Sequence, residues 1–357
     1  MDINFLTDSD IQECNEFHNN AYGTNRSLAQ WHWQFDGMLG GIRPFVVAKE
    51  DGRIVGTQAL MPIIMSNAVG DFLTAKSEET LVDSSMRGKG VFQKMYEPLM
   101  ALALSHGVKA IWGFTPASKA FEGVGFSVPD STSQLVFPLS IRASTTFLDS
   151  FCSGPRRFAM NAGIGVASIL SASRLAATSR KDKGIRLEVI DDPPITAGAL
   201  SREFVRSWGG VTILRDQSYL KWRYFDNPVV RATLLAAYRG NSLVGWLAYA
   251  LDKNSMGYIV DAIVPRYKDS FAILHSLMLK AVLALRSSGA VAIRNWHLNR
   301  HPFDRLNLEV SRSLGFYLVR RGEPVVLYLP RDLAPHDSLA DWNGWFVTRA
   351  YTQGEAG

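Results

Sequence analysis

The run Val82-Asp83-Ser84-Ser85-Met86-Arg87-Gly88-Lys89-Gly90-Val91-Phe92 is where residue types and spacing could do chemistry. An apolar strand ends, a turn with two glycines follows, and a helical pattern begins at Gly90. Its apolar positions, Val91, Phe92, Met95, Leu99, Leu102 and Leu104, recur near helical spacing. A helix start leaves backbone N–H groups unpaired and carries a partial positive charge, so it favours anions. Glycines let backbone approach a phosphate, and Arg87 and Lys89 add charge. Taken alone, the run suits either a bound pyrophosphate or a plain strand-to-helix turn with a solvated Arg-Gly-Lys tip. It is neither a Walker loop, since Gly-Lys-Ser/Thr is missing, nor a GxGxxG dinucleotide loop.

The elements that would position this run occur twice in the chain. The aromatic segment Ser27 to Phe35 resembles Ser218 to Phe225. An apolar strand follows each (Pro44 to Ala48, Ala232 to Tyr238), then a polar turn, Glu50 to Gly56 or Arg239 to Gly245, feeding a second strand. Leu81-Val82-Asp83 matches Ile259-Val260-Asp261, and a long helix pattern follows each: Gly90 to Ser105, and Ser270 to Ser287. Short buried strands (Ala110 to Phe114, Ala290 to Trp296) lead to helices ending in Gly125-Phe126 and Gly315-Phe316. The expected fold is α+β: two tandem domains, each a mostly antiparallel mixed sheet flanked by helices. The expected organisation is a first domain over 1–140, a basic connector over 141–184, a second domain over 185–335 and a docked tail over 336–357.

This order of elements, with Arg87, Gly88 and Gly90 at the turn and Gly125-Phe126 later, resembles the GNAT acyltransferase superfamily, whose signature is Arg/Gln-x-x-Gly-x-Gly/Ala at this junction. The resemblance implies an N-acyltransferase using acetyl-CoA or another acyl-CoA as co-substrate. It implies that Leu81, Val82 and Asp83 line the pantetheine, and that Arg87, Gly88, Lys89, Gly90, Val91 and Phe92 hold the pyrophosphate. Phe92 replaces the signature's last Gly/Ala. The second copy reads Val264-Pro265-Arg266-Tyr267-Lys268-Asp269-Ser270 and has no glycine, so one coenzyme site is expected, in the first copy. Tandem GNAT chains of this size with Trp-x-Trp/Tyr segments resemble N-acyltransferases of nucleotide-linked amino sugars in bacterial surface-glycan synthesis. The alternatives are acylation of another amine (an antibiotic, a polyamine, an aminoacyl group, a protein lysine) or non-catalytic binding of acyl-CoA or a glycan precursor.

Acyl transfer to an amine needs a base for the ammonium, stabilisation of the oxyanion and a proton for the departing thiolate. In the GNAT pattern the base is often a carboxylate on the strand before the loop, which points to Glu79 and Glu78. Strand alternation puts these two on opposite faces, so one is expected to face the cleft, with Glu79 favoured. The family's usual acid, a Tyr four residues before the Gly-Phe glycine, is Phe121 here. Trp31, Trp33, Trp222 and Tyr224 are candidates to stack on the acceptor, and His297 to meet it. His297 and His301 are candidates to serve in place of that acid, and His18 and His32 sit on early helices that border the expected acceptor cleft.

The 357 residues carry a formal charge of +5, with 47% hydrophobic and 20% charged residues, a globular balance that excludes a disordered or collagen-like chain. Arg156, Arg157, Arg174, Arg180 and Lys181 lie between Phe151 and Lys181, where there is no acid, and the rest of the chain is neutral. A nucleic-acid partner is therefore not expected, and membrane contact is expected only through the connector, whose apolar stretch 158–177 is broken by Asn, Gly, Ser and Arg. Two cysteines, Cys14 and Cys152, make no disulfide framework, no metal spacing occurs, and the chain reads as cytoplasmic.

Overall fold

The computed structural model of the chain describes all residues except 141–162, 164–183, 299, 320–321, 331–337 and 352–357. The connector's basic residues, its apolar stretch and Cys152 lie outside the described residues.

Met1–Ser131 and Glu323–Trp342 make one compact unit. Its elements are β1 (Asp2–Phe5), α1 (Ile11–Tyr22), α2 (Leu28–Phe35), β2 (Phe45–Glu50), β3 (Arg53–Ser66), β4 (Asp71–Val82), α3 (Val91–Ser105), β5 (Ile111–Phe114), α4 (Ser118–Glu122) and β14 (Val325–Tyr328). The sheet runs β1-β2-β3-β4-β5-β14. All neighbours are antiparallel except β4 and β5, which among the described residues share two parallel pairs, Ala75↔Ile111 and Lys76↔Trp112. Strand alternation sorts β2 between two layers. Val46 and Ala48 join α3's Met95, Tyr96 and Leu99 in one core. Phe45 points the other way, its ring 5.7 Å from Trp31 and 5.2 Å from Phe35 of α2.

Thr132–Gly322 and Asn343–Gly357 make the second unit. It contains β6 (Ser133–Pro138), β7 (Arg186–Ile190), α5 (Ala197–Trp208), β8 (Thr212–Ile213), α6 (Gln217–Leu220), β9 (Thr233–Arg239), β10 (Ser242–Leu251), β11 (Met256–Ile263), α7 (Ser270–Ser287), β12 (Ala292–His297), α8 (Pro302–Leu314) and β13 (Tyr317–Val319). Its sheet runs β13-β6-β12-β11-β10-β9-β7, with β11 and β12 parallel. Both units are thus mixed, mostly antiparallel sheets flanked by helices. The late strands are exchanged. β6, which follows the first copy in sequence, pairs with β12 and β13, whereas β14, which follows the second copy, pairs with β5.

The structure also corrects the register of the duplication. Helix N-caps pair Ser27 with Asp216, because the Ser27 and Asp216 side chains accept from Gln30 and Tyr219 N–H. Arg26 then matches Arg215. The aromatic segments match from this end, and the second copy's additional residue is absorbed in a π turn over Lys221–Phe225. Thr57 pairs with Leu81 as Trp246 pairs with Ile263. The counterpart of Glu79 is therefore Asp261, and Val82 corresponds to Val264. The Val-Asp steps that look alike in sequence are four residues out of register.

Candidate functional site

The loop before α3 is built from its own short-range bonds. Asp83 caps a 3₁₀ turn over Ser84–Met86: its Oδ1 accepts from Ser85 N at 2.8 Å and from Ser85 Oγ at 2.6 Å. Both bonds hold the Asp83 carboxyl below its ordinary range. Gly88 and Gly90 have φ of 77° and 74°, the left-handed region where a Cβ is strained. A Cβ at Gly88 would meet nothing within 4 Å, so the ground for glycine is backbone conformation and open space, not packing. Lys94 N–H is the first to find a helical acceptor, Gly90 O, which leaves the N–H groups of the first turn before it without a helical partner.

These groups open on a cleft of about 790 Å³. It is lined by Leu81, Val82, Asp83, Arg87, Gly88, Gly90, Val91 and Phe92, and also by Phe17, Ala21 and Tyr22 of α1. Lys89 does not line it; its Nζ lies 3.6 Å from Met86 Sδ. Unpaired N–H groups, two glycines without Cβ and the Arg87 cation fit an anionic diphosphate at this helix start, and the apolar β4 wall fits an extended chain.

A β-bulge re-aims the end of β4. Thr57 faces Leu81 and Ala59 faces Glu78, so Gln58 stands opposite both Glu79 and Thr80. Glu79 takes φ of 55°. Ser77 points to the α3 layer, where its Oγ bonds the Tyr96 hydroxyl. In a regular strand Glu79, two residues on, would share that face. Instead its carboxylate meets α1 and Arg26 on the opposite side. Arg26 Nη1 and Nη2 donate to Glu79 Oε2 and Oε1 at 2.8 and 2.7 Å, and His18 Nδ1 lies 3.0 Å from Oε1. Glu78, which pairs with Lys76, is on that same side by alternation from Ser77. The two carboxylates therefore do not take opposite faces, because the bulge breaks the alternation. Burial alone would raise the Glu79 carboxyl, but His18 and Arg26 outweigh it and hold it below the ordinary glutamate range. A fully ionised, doubly clamped carboxylate is a weak acceptor for an ammonium proton.

Arg26 is itself fixed by α1. Its Nε donates to Asn15 Oδ1 at 2.7 Å, and its carbonyl accepts from Asn15 and Asn19 Nδ2 at 2.7 and 3.0 Å. Arg26 carries no motif in the sequence. The available signal was a polar row, Asn15, His18, Asn19 and Tyr22, at helical spacing on a helix that must pack against the sheet.

The other expected residues do not gather here. Trp31 is fully buried between Phe35 and Phe45, with the Arg43 guanidinium 5.4 Å from its ring; burying an indole in the core removes it from any acceptor. Tyr224 is buried too and donates to Asp261 Oδ2 at 3.1 Å. His297 is buried, with Nδ1 3.9 Å from Asp304 Oδ1. Trp33 and Trp222 are half-exposed. His301 caps α8, its Nδ1 accepting from Phe303 N–H, and burial pulls it down to about 4. Phe121 lies in an aromatic cluster with Phe92, Tyr96 and Phe126, away from solvent. The Cys14 thiol is buried and pushed well above its ordinary range by that burial.

No curated protein sequence matches the chain. Solved structures with the same fold include a GCN5-related N-acetyltransferase from Anabaena variabilis (9% identity, TM-score 0.63, covering 92% of this chain and 72% of that one). A probable N-acyltransferase from Enterococcus faecalis is similar at 10% identity, TM-score 0.61 and the same coverage. A GCN5-related N-acetyltransferase from Kribbella flavida is similar at 11% identity and TM-score 0.56, covering 92% of this chain and 70% of that one. Residues 2–128 match the family model of the acetyltransferase (GNAT) domain, a span that contains the glycine loop, the β4 bulge and the cleft. Over residues 2–128 the chain is thus similar to the acetyltransferase (GNAT) domain, and over 92% of its length it shares the fold of these solved structures.

Proposed function

We propose that this enzyme moves an acetyl or short acyl group from acyl-CoA to the primary amine of a nucleotide-linked amino sugar, in the cytoplasm, for surface-glycan synthesis. The observation that carries the transfer is the cleft where the Gly88/Gly90 loop, the start of α3 and the end of β4 converge. The acyl-CoA supplies an activated thioester. Gly88, Gly90, Val91 and Arg87 hold its diphosphate, and Leu81, Val82 and Asp83 line its extended arm. The amino-sugar acceptor rests on the likeness of the tandem architecture to enzymes of that class; of the first unit's aromatic candidates, half-exposed Trp33 is left to meet it.

Calorimetric titration with acetyl-CoA and longer acyl-CoA esters, followed by thiol release with a panel of nucleotide-linked amino sugars and simple amines, tests this. Binding with turnover on the sugars supports the reading. Turnover on other amines alone moves the acceptor to another class. Binding without turnover on any amine turns the protein into a sensor, and no binding at all ends the proposal.

A further inference from the structure

His18 belongs to the Glu79 clamp and follows cleft-lining Phe17 on α1, without itself lining the cleft. Phe17, Ala21 and Tyr22 from its own helix and Thr80 to Asp83 from the strand after Glu79 line the cleft. Its side chain is 17% exposed, whereas Glu79 is 1% and Arg26 4%. A deprotonated carboxylate only accepts, so a proton on Nδ1, the imidazole nitrogen facing it, would leave Nε2 as the basic atom. Tyr22 packs on the ring with centroids 4.8 Å apart.

The second unit is an internal control. α1 and α5 are both 12 residues long and end at Gly23 and Gly209, so His18 corresponds to Phe204. There the buried arginine–carboxylate pair is kept: Arg215 Nε donates to Asp261 Oδ2 at 2.8 Å. Hydroxyls of Tyr224 and Thr348 donate to the carboxylate at 3.1 and 2.9 Å; among the described residues no histidine bonds it, and His301 stacks on Phe204 instead. The arginine–carboxylate pair therefore belongs to the duplicated fold. Among the described residues, a histidine against that carboxylate is seen in the copy that has the glycine loop.

We infer that His18 is the general base of the acyl transfer and Glu79 its positioning residue, locked in turn by Arg26. This rests on the acyl-transfer reading of the same cleft. His18 Nε2 takes one proton from the acceptor ammonium. The nitrogen lone pair forms the C–N bond as the C–S bond breaks with its electrons going to sulfur. The second ammonium proton passes to that sulfur, and the imidazolium returns its proton to water, leaving amide, thiol and one released proton. The charged and titratable groups facing His18 are Glu79 from β4, Arg26 from the α1–α2 loop and Tyr22 from α1, with Arg87 acting on Tyr22 across the cleft.

The test uses the full chain in two arms. In the first, histidine side-chain NMR with and without acetyl-CoA reads the His18 tautomer. Nδ1–H with a bare Nε2 is expected in the wild type, and loss of that preference in E79Q. In the second, thiol release from acetyl-CoA is followed with glucosamine as probe amine. H18Q is expected to lower kcat by about 10²–10⁴-fold, with acetyl-CoA affinity within about threefold of wild type, to abolish the acidic limb of the pH–rate profile, and to be partly rescued by imidazole in H18A. An Nε2–H tautomer, or H18Q with unchanged kcat and pH profile, overturns the assignment. If glucosamine is not acylated, the acceptor class is at fault and the tautomer arm still decides the state of His18.

Discussion

Gly90 and Glu79 show opposite relations between a residue and its surroundings. Gly90 is open: a Cβ there would come no closer than 4.0 Å to Gln93 Oε1. Gly90→Asp should therefore fold, at about 1–2 kcal/mol for the positive φ. It should lose at least tenfold in acetyl-CoA affinity by calorimetry, because a carboxylate would oppose the diphosphate at the helix start; unchanged affinity would make the loop only a turn. Glu79 is closed in, and Glu79→Gln leaves buried Arg26 without its anion, which should cost about 3–5 kcal/mol in chemical denaturation. Because its folded pKa is depressed, Glu79's contribution is present above its unfolded value near 4.5 and is lost as pH falls through the folded value. Wild-type stability should fall steeply below about pH 4.5, and E79Q should flatten that limb. The sequence singles out Gly90 and Glu79 alike. It shows that Gly90 suits an anion, a local matter. It does not show that Glu79 is clamped, because the clamp joins residues 53 positions apart.

At the scale of elements, the β4 bulge determines which side chains can act. It turns Glu79 away from Ser77 and Tyr96, splitting the strand's polar groups between two layers. Alternation, the rule that governs a regular strand, therefore misplaces one carboxylate. α4 brings Phe121 into the aromatic cluster of α3, where the usual family tyrosine would put its hydroxyl among carbon atoms. Phe121→Tyr is expected to destabilise the protein by about 1–3 kcal/mol and to leave kcat unchanged, as seen by thermal unfolding and thiol release. A rise in kcat would mean the added hydroxyl reaches the reacting sulfur.

At the scale of the whole molecule, each sheet is completed by a strand that is distant in sequence. A fragment ending at Ser131 lacks β14, so the β5 edge opens and Phe126 loses Tyr328, whose ring lies 5.6 Å away. Such a fragment should aggregate in size-exclusion runs unless the 323–342 segment is supplied. The second unit carries its own pH dependence. Burial pushes the Asp304 carboxyl up to about 7, against bonds from Leu298 N–H and Asn307 that pull it down. Its folded pKa lies above its unfolded one, so folding binds a proton, and stability falls as pH rises from about 4 to 7. Asp304→Asn should remove most of that slope, up to about 4 kcal/mol, in melting temperatures taken between pH 4 and 8. An unchanged slope would place the proton elsewhere.

By itself the sequence determined what depends on neighbours along the chain: the strand–turn–helix loop, the doubled order of elements and the number of glycine loops. Backbone conformation and helix ends are settled within a few residues, so they are written locally. Only the tertiary structure decided the register of the repeat, the exchange of β6 and β14, the burial of Trp31, Tyr224 and His297, and the company that Glu79 keeps. Strand pairing and desolvation depend on residues tens to hundreds of positions away. A carboxylate's chemistry follows from those partners, and in this chain they are Arg26 and His18.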